Sequence, residues 1–377
     1  MNIKSIIWCK LCLMPSTRPN LSFNNDEICS QCLNFKKIEN INWNSRKSNF
    51  EKLVKKIKSK KKLYDCVIPV SGGKDSTWQV IKCLKMGLKP LCVTWKTPFR
   101  TKIGETNLQN LINLGVDHID WTINQSIEKQ FVKKTFLLSG STALPMHYAI
   151  FSIPLKVAYK FDIPLVVWGE NSAYEYGNDN PNKFIGFNQK WLNKYGVNNN
   201  KSISFWKKKI SNVDLGSYEL PNLKNLSKKT KIIFLGDYFR WDPLVSFEIS
   251  KKRGFQETSI ANVGIYNFAD IDDNTINIHH WIKWFKFGFT RDFDNLSIEI
   301  RKKRISKEIA IKQIKKTNLN YINKKSVSDF CKYIQINKDK FFKVVEKFRN
   351  KNIWHKKRGV WMIKDFIIKD YNWNENK

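Results

Sequence analysis

No stretch of this 377-residue sequence approaches the length of apolar chain needed to cross a bilayer. Met1–Trp8 is too short for the apolar region of a secretory signal. The expectation is a cytoplasmic protein without membrane attachment. Acidic residues are scarce: 33 Asp and Glu stand against 67 Lys and Arg, a formal charge of +34. The G-x-x-x-x-G-K-[ST] run is missing, which excludes the Walker phosphate loop. Four of the eight cysteines, Cys66, Cys83, Cys92 and Cys331, lack any knuckle spacing and read as buried small apolar residues. The other four fall in CxxC pairs, which suits a reducing compartment better than a disulfide scaffold.

The length allows two or three domains with a sizeable core. The positive charge is uneven. Residues 301–377 carry 23 Lys and Arg against 7 Asp and Glu, a net of +16. Residues 1–63 carry 14 against 4, a net of +10, which leaves +8 for residues 64–300. Lys, Asn and Ile are abundant throughout, as AT-rich codon usage would produce. Three readings stay open: compositional drift, a nucleotide, polyanionic substrate or acidic partner, and nucleic acid.

Cys9-x-x-Cys12 and Cys29-x-x-Cys32 are two knuckles with sixteen residues between them. That spacing matches a tetrahedral four-cysteine zinc site. All four ligands come from the protein, so the site reads as structural Zn2+, with an iron–sulfur cluster or a redox pair as the alternatives. Ile41–Lys62 follows, Lys-rich, with Phe50, Leu53, Val54 and Ile57 at helical spacing. The chain therefore divides into a four-cysteine zinc module (1–40), a linker helix (41–62), a nucleotide-binding catalytic domain (63–250) and a mostly helical C-terminal region (251–377) for substrate or partner. In the last of these, Ile305, Ile309 and Ile314 form one stripe; Phe341, Val344, Val345 and Phe348 form another after an Asn337 cap.

The catalytic domain starts with a short apolar run, Tyr64–Val70, then Ser71-Gly72-Gly73-Lys74-Asp75-Ser76, then a helical pattern with Trp78, Ile81 and Leu84 on one face and a C-cap at Gly87. Strand, glycine-rich turn and helix start let backbone N–H groups hold phosphate. The two glycines permit close approach and positive φ. Ser71 and Ser76 supply hydroxyls. Asp75 is an anion where an anion binds, which makes sense with Mg2+ between them.

Beyond the loop, strands are expected at 90–95, 117–122, 163–168 and 231–235. Helices are expected at 106–115 and 145–161, with a break or kink at Pro154. This rhythm indicates a doubly wound parallel α/β sheet, in which ligands sit beyond the carboxyl ends of the strands. Chemically rich residues do follow strands: Gly169-Glu170-Asn171 with Glu175 and Tyr176, and Gly236-Asp237 with Asp242. Glu170, Glu175, Asp237 and Asp242 are carboxylates able to hold Mg2+ or orient a nucleophile, or else simply to cap helices. Thr94 and Trp95 end a strand where an adenine can rest. His280–Asp294 interleaves aromatics with Lys286 and Arg291, so it can bind a sugar or phosphate, or pack as an ordinary helix.

The hexapeptide resembles the SGGxDS signature of the PP-loop ATP pyrophosphatases, which cleave ATP between the α and β phosphates. In sequence order, the four-cysteine module, SGGKDS, Trp168-Gly169-Glu170-Asn171 with Glu175-Tyr176-Gly177, Gly236-Asp237-Tyr238, and Lys286-Phe287-Gly288 with Arg291-Asp292 resemble the N-acetyl sugar amidotransferases of bacterial surface-polysaccharide synthesis. The resemblance covers roughly residues 8–316. It implies a PP-loop fold, ATP and Mg2+, and catalytic roles for Lys74, Asp75, Glu170 and Asp237. It implies nucleotide contacts from Ser71 through Ser76, Thr94, Trp95 and Gly169. Substrate contacts fall to Glu175, Tyr176, Lys286, Arg291 and Asp292. Substrates implied are nucleotide-linked acetamido sugars or nonulosonic acids. Partners implied are a glutaminase subunit and a cyclase-like subunit that supply ammonia. Asn2 and the absence of a G-x-C-x-G turn agree, since the chain carries no glutaminase nucleophile. The Gly-Phe-Thr before Arg291 departs from the basic, glycine-poor turn expected there.

Two other functions compete. A tRNA-modifying PP-loop enzyme fits the charge, but its thiolation type needs reactive cysteines beside the loop. A zinc-bearing scaffold that keeps only the fold sits poorly with the intact Ser71, Asp75 and Ser76.

Overall fold

The computed structural model describes residues 5–175, 186–196, 201–210 and 212–373. Five short strands form one all-parallel sheet: β1 (Cys66–Pro69), β2 (Pro90–Trp95), β3 (Asp117–Trp121), β4 (Leu165–Trp168) and β5 (Lys231–Phe234). Their order is β3-β2-β1-β4-β5. The chain winds outward from β1 through β2 to β3, then returns to the other side of β1 for β4 and β5. The switch point lies between β1 and β4, where such sheets bind ligands.

Strand residues alternate between two cores, as a pleat covered on both faces requires. Val67, Leu91, Val93 and Val166 face the buried helix Leu144–Lys160. Ile68, Cys92, Leu165 and Val167 face the other way, with Trp78 of helix Lys74–Lys85 and Phe50, Leu53, Val54 and Ile57 of helix Trp43–Lys58. Helix Trp43–Lys58, within the expected 41–62, packs as one of the sheet's covering helices. Asn42 caps it by accepting from the Ser45 N–H at 2.9 Å. Asn337 likewise caps Lys338–Lys347, accepting from Lys340 N–H at 2.8 Å.

Two expectations shift. The helix expected at 106–115 runs Lys102–Ile112, because Thr101 provides an N-cap hydroxyl to Gly104 N–H at 2.9 Å and Gly104 and Thr106 are tolerated inside it. The helix through Pro154 is continuous, Leu144–Lys160. Its walls bury Ile153, Pro154 and Leu155 together, and that packing outweighs the one backbone bond proline removes.

The four-cysteine segment is not an isolated bead. Cys9, Cys12, Cys29 and Cys32 belong to the same apolar core as Trp284, Phe293, Leu296, Ala310 and Ile314 of the C-terminal region. Lys307 Nζ donates to the Cys9 carbonyl at 2.7 Å, and the Leu13 N–H donates to Ser297 Oγ at 3.2 Å. The first and last parts of the chain therefore share one hydrophobic core. A two-stranded hairpin, β6 (Trp354–Lys357) and β7 (Val360–Ile363), completes it. No helix among the described residues is long and apolar enough to cross a membrane.

Candidate active site

At the carboxyl ends of β1, β2 and β4 lies a cavity of about 430 Å³. One wall is the turn after β1, with Ser71, Gly73, Lys74, Asp75 and Ser76 lining it. Gly72 has φ +84, and a Cβ there would lie 2.6 Å from the Leu108 backbone nitrogen. Only glycine lets this turn press against helix Lys102–Ile112. The turn is held by its own hydroxyls. Ser71 Oγ accepts from Gly73 N–H at 3.2 Å, and Ser76 Oγ donates to the Gly73 carbonyl at 2.9 Å.

Lys74 opens the helix and is almost wholly buried. Its ammonium pairs with Asp75 Oδ2, and it lies 5.7 Å from the Phe268 ring centre. Asp75 Oδ1 accepts the Trp241 indole N–H at 2.9 Å. Asp75 is therefore held by two donors, one on each carboxylate oxygen. Glu170, directly after β4, also lines the cavity. Burial, then repulsion from Asp75, pushes its carboxyl up from its ordinary value. A carboxylate raised by burial and by a second carboxylate lining the same cavity is a natural position for a divalent cation. Asp75 and Glu170 thus fit Mg2+.

Thr94 and Trp95 line the same cavity. Thr94 Oγ1 donates to the Val70 carbonyl at 2.7 Å and lies 2.8 Å from His118 Nε2. Trp95 donates its indole N–H to Glu128 Oε1 at 3.0 Å. Gly169 accepts from the Gly236 N–H at 3.0 Å and so joins the ends of β4 and β5.

The opposite wall comes from far along the chain, and apart from Arg291 it was missed in the sequence. Phe268, Asp270, Asp272 and Asp273 close over the loop, and Arg291 reaches in beside them. Arg291 Nε donates to Asp270 Oδ2 at 3.0 Å. Burial opposes ionisation of Asp270, but the Arg291 guanidinium and a bond from His280 hold its carboxyl well below the usual range. Asp272 behaves oppositely: burial and neighbouring Asp273 push it up to about 6, against a hydrogen bond from Ser71. Three aspartates within four positions in so basic a chain was the available signal.

The remaining expected residues sit elsewhere. Asp237 is buried under the strand ends, where Oδ1 accepts from Asn171 Nδ2 at 2.9 Å; burial pushes it up to about 7. It supports the turn after β4 and is not among the residues lining the cavity. Glu175 follows in a short helix, raised to about 7 by burial against the pull of Lys302 and Arg301. Lys286 donates to the Ser139 carbonyl at 2.9 Å, a structural tie between helices. Asp292 accepts from Thr290 Oγ1 at 2.7 Å in the first turn of Arg291–Arg301 and faces a different cleft, beside His280 and Asn318. Asp242 caps helix Pro243–Lys251 and pairs with Lys302 at 3.0 Å. Tyr176 and Gly177 lie outside the described residues.

The four knuckle thiols lie within 4.8 Å of one another and are all buried. Four convergent cysteines in such a shell fit a tetrahedral Zn2+ with no open position. Cys66, Cys83 and Cys92 pack in the core behind the sheet, fully buried, and none lines the cavity.

Fold and site together define a doubly wound parallel α/β protein with an SGGKDS loop at the carboxyl end of its first strand, a cysteine cluster before the sheet and a helical region after it. Residues 257–367, which supply the acidic wall and Arg291, match the family model of the C-terminal domain of WbpG-like LPS biosynthesis proteins. Among solved structures, NMN synthetase from Francisella tularensis matches at 15% identity over 57% of this chain and 95% of that chain, with a TM-score of 0.26. A likeness of that degree says nothing about what this chain binds or makes. No curated protein matches the chain.

Proposed function

We propose that the protein is the synthetase subunit of an ATP-dependent amidotransferase that converts an acetamido sugar to an acetamidino sugar for O-antigen or other surface-glycan synthesis in the cytoplasm. One observation carries this reading. The SGGKDS loop and Glu170 share a cavity with Asp270, Asp272 and Arg291 from the segment that matches an LPS biosynthesis family.

The chemistry follows from the groups present. An amide oxygen is a poor leaving group, and adenylation makes it a good one. The acetamido oxygen attacks the α-phosphorus of ATP and pyrophosphate departs. Ammonia then adds to the imidate carbon, AMP leaves with the oxygen, and a proton is lost. Backbone N–H groups of the loop and the Lys74 ammonium stabilise the departing pyrophosphate. Mg2+, held by Asp75 and Glu170, supplies charge neutralisation to the phosphates when bound. Thr94 and Trp95 offer a rest for the adenine. Arg291 presents a cation to a sugar carboxylate or phosphate, and the acidic wall accepts from sugar hydroxyls. Asp237 acts through Asn171 as a positioning residue. The zinc of the four-cysteine cluster is structural. Ammonia comes from a separate glutaminase with a cyclase-like partner subunit.

The test is incubation with ATP, Mg2+, ammonium and a panel of acetamido nucleotide sugars and nonulosonic acids. Sugar-dependent AMP and pyrophosphate, with a product one mass unit lighter, supports the reading. ADP and phosphate contradict it. Turnover with tRNA alone moves the assignment to a tRNA-modifying enzyme.

A further inference from the structure

Behind the nucleotide cavity lies a second, smaller one. Trp95, Thr97, Met146, Asp273 and Ile276 line both. Its far wall is Phe99, Val132, Ala143 and Phe330. Its volume is about 40 Å³. A water needs roughly 10–15 Å³ of such space, so the chamber suits a few molecules the size of water or ammonia and nothing larger.

Two titratable side chains of the covering helices face this chamber, Glu128 and His279. Glu128 is 2% exposed. Its Oε1 accepts the Trp95 indole N–H at 3.0 Å, and its Oε2 accepts the Tyr333 hydroxyl at 3.4 Å. Trp95 thus stands between Glu128 and the nucleotide cavity. A carboxylate enclosed by Val132, Phe99 and Phe330, beside a wall shared with the site, has no structural partner of opposite charge among the described contacts.

We propose that this chamber admits the reaction's nitrogen nucleophile, and that Glu128 takes a proton from ammonium there so that neutral ammonia reaches the nucleotide cavity. The proposal rests on the amidotransferase reading. Near neutral pH almost all ammonia in water is ammonium, which has no lone pair to attack with. A lone ammonium is strongly disfavoured among apolar walls. Beside a carboxylate, proton transfer removes both charges at once. An N–H bond of ammonium breaks, an O–H bond forms on Glu128, and nitrogen keeps the electron pair. The proton returns to solvent before the next cycle.

The surroundings favour this exchange. Burial pushes the Glu128 carboxyl up to about 7, where a group can both take and release a proton. Asp273 adds to that rise, while the bonds from Trp95 and Tyr333 oppose it. Tyr218 and Tyr333 are both raised and stay neutral. Burial pushes His279 well below its ordinary value, so it too is uncharged. Lys129, next to Glu128 in the chain, lies 5.3 Å from the Tyr333 ring centre.

The experiment uses the full chain with saturating ATP, Mg2+ and acetamido sugar, and measures amidine formation against ammonium concentration across pH. For Glu128→Gln, kcat/KM for total ammonium is expected to fall about tenfold or more near pH 7. The deficit should shrink as rising pH supplies free ammonia, with KM for ATP unchanged. An equal loss at every pH, or no loss, overturns the proposal. Thr142→Leu, which narrows the chamber and keeps the Glu128 carboxyl, should raise the ammonium KM at every pH; an unchanged KM also overturns it. If the wild-type protein forms no amidine with any sugar, the amidotransferase reading fails first and this proposal falls with it.

Discussion

Arg291 Nε donates to Asp270 Oδ2 at 3.0 Å, and this pair joins the first turn of helix Arg291–Arg301 to the acidic segment that covers the SGGKDS loop. Both partners are about four-fifths buried, with side chains 23% and 20% exposed. The guanidinium is thereby aimed into the cavity with one face already neutralised.

Asp270→Asn should loosen Arg291 and raise the KM for the sugar by about tenfold, which corresponds to one charge-assisted hydrogen bond. KM for ATP should move much less. The folded carboxyl lies below its unfolded value of about 3.9. The pair's stabilisation is therefore present above about pH 4 and fades as pH falls through the folded value. Thermal melts should show the variant's deficit at neutral pH and its disappearance in strong acid. A deficit that grows in acid contradicts this.

Asp237 has the opposite sign. Its folded carboxyl is raised to about 7 by burial. Stability from this group is full below its unfolded value of about 3.9 and declines until pH passes the folded value. Asp237→Asn keeps an oxygen for Asn171 and removes the ionisation. Its melting temperature should gain on the wild type by several degrees between about pH 4 and pH 8. A constant difference between the two proteins across that range speaks against a buried, raised carboxyl.

Gly72→Ala meets two obstacles, a positive φ and a Cβ placed 2.6 Å from the Leu108 nitrogen. The loop has to shift, so ATP-dependent turnover should drop by about a hundredfold or more. Global stability should fall by about 1–3 kcal/mol. Full activity in this variant, measured by pyrophosphate release, excludes the loop as the phosphate site.

Cys9→Ser should lower zinc content and stability together. The cluster shares its core with Trp284, Phe293 and Ile314, and Lys307 holds the Cys9 carbonyl. Loss of the ion therefore loosens the C-terminal region as well, by an amount that should cost about 10 °C or more in melting temperature. Metal analysis and calorimetry on the same sample check both halves. Unchanged zinc with normal melting contradicts a four-cysteine metal site.

Much of this architecture was readable in advance because local rules carry it. β2 falls at the expected residues, the hexapeptide bridges a strand and a helix, and Asn337 caps a helix as its side chain suggests. Glu170 and Arg291 were placed in the site from their positions after a strand and a glycine turn. What could not be read depends on long-range packing. Asp270 and Asp272 lie roughly two hundred residues from the loop they cover, and nothing in their local pattern says that helix Arg291–Arg301 brings them back. Lys286 and Asp292 share the same motif as Arg291 but point away: Lys286 belongs to the preceding helix, Ile276–Phe287, and Asp292 is turned by about 100° from Arg291 around helix Arg291–Arg301. The sharing of one core by Cys9 and Phe293 was equally invisible, since knuckle spacing specifies a metal site and says nothing about its neighbours.

The most direct test of the central claim follows the acetamido oxygen. A responsive sugar carrying heavy oxygen in its acetamido carbonyl is incubated with ATP, Mg2+ and ammonium, and the products are weighed by mass spectrometry. Adenylation at that oxygen delivers the heavy atom to AMP and leaves an acetamidino sugar without it. Unlabelled AMP, or label kept in the sugar product, contradicts the account.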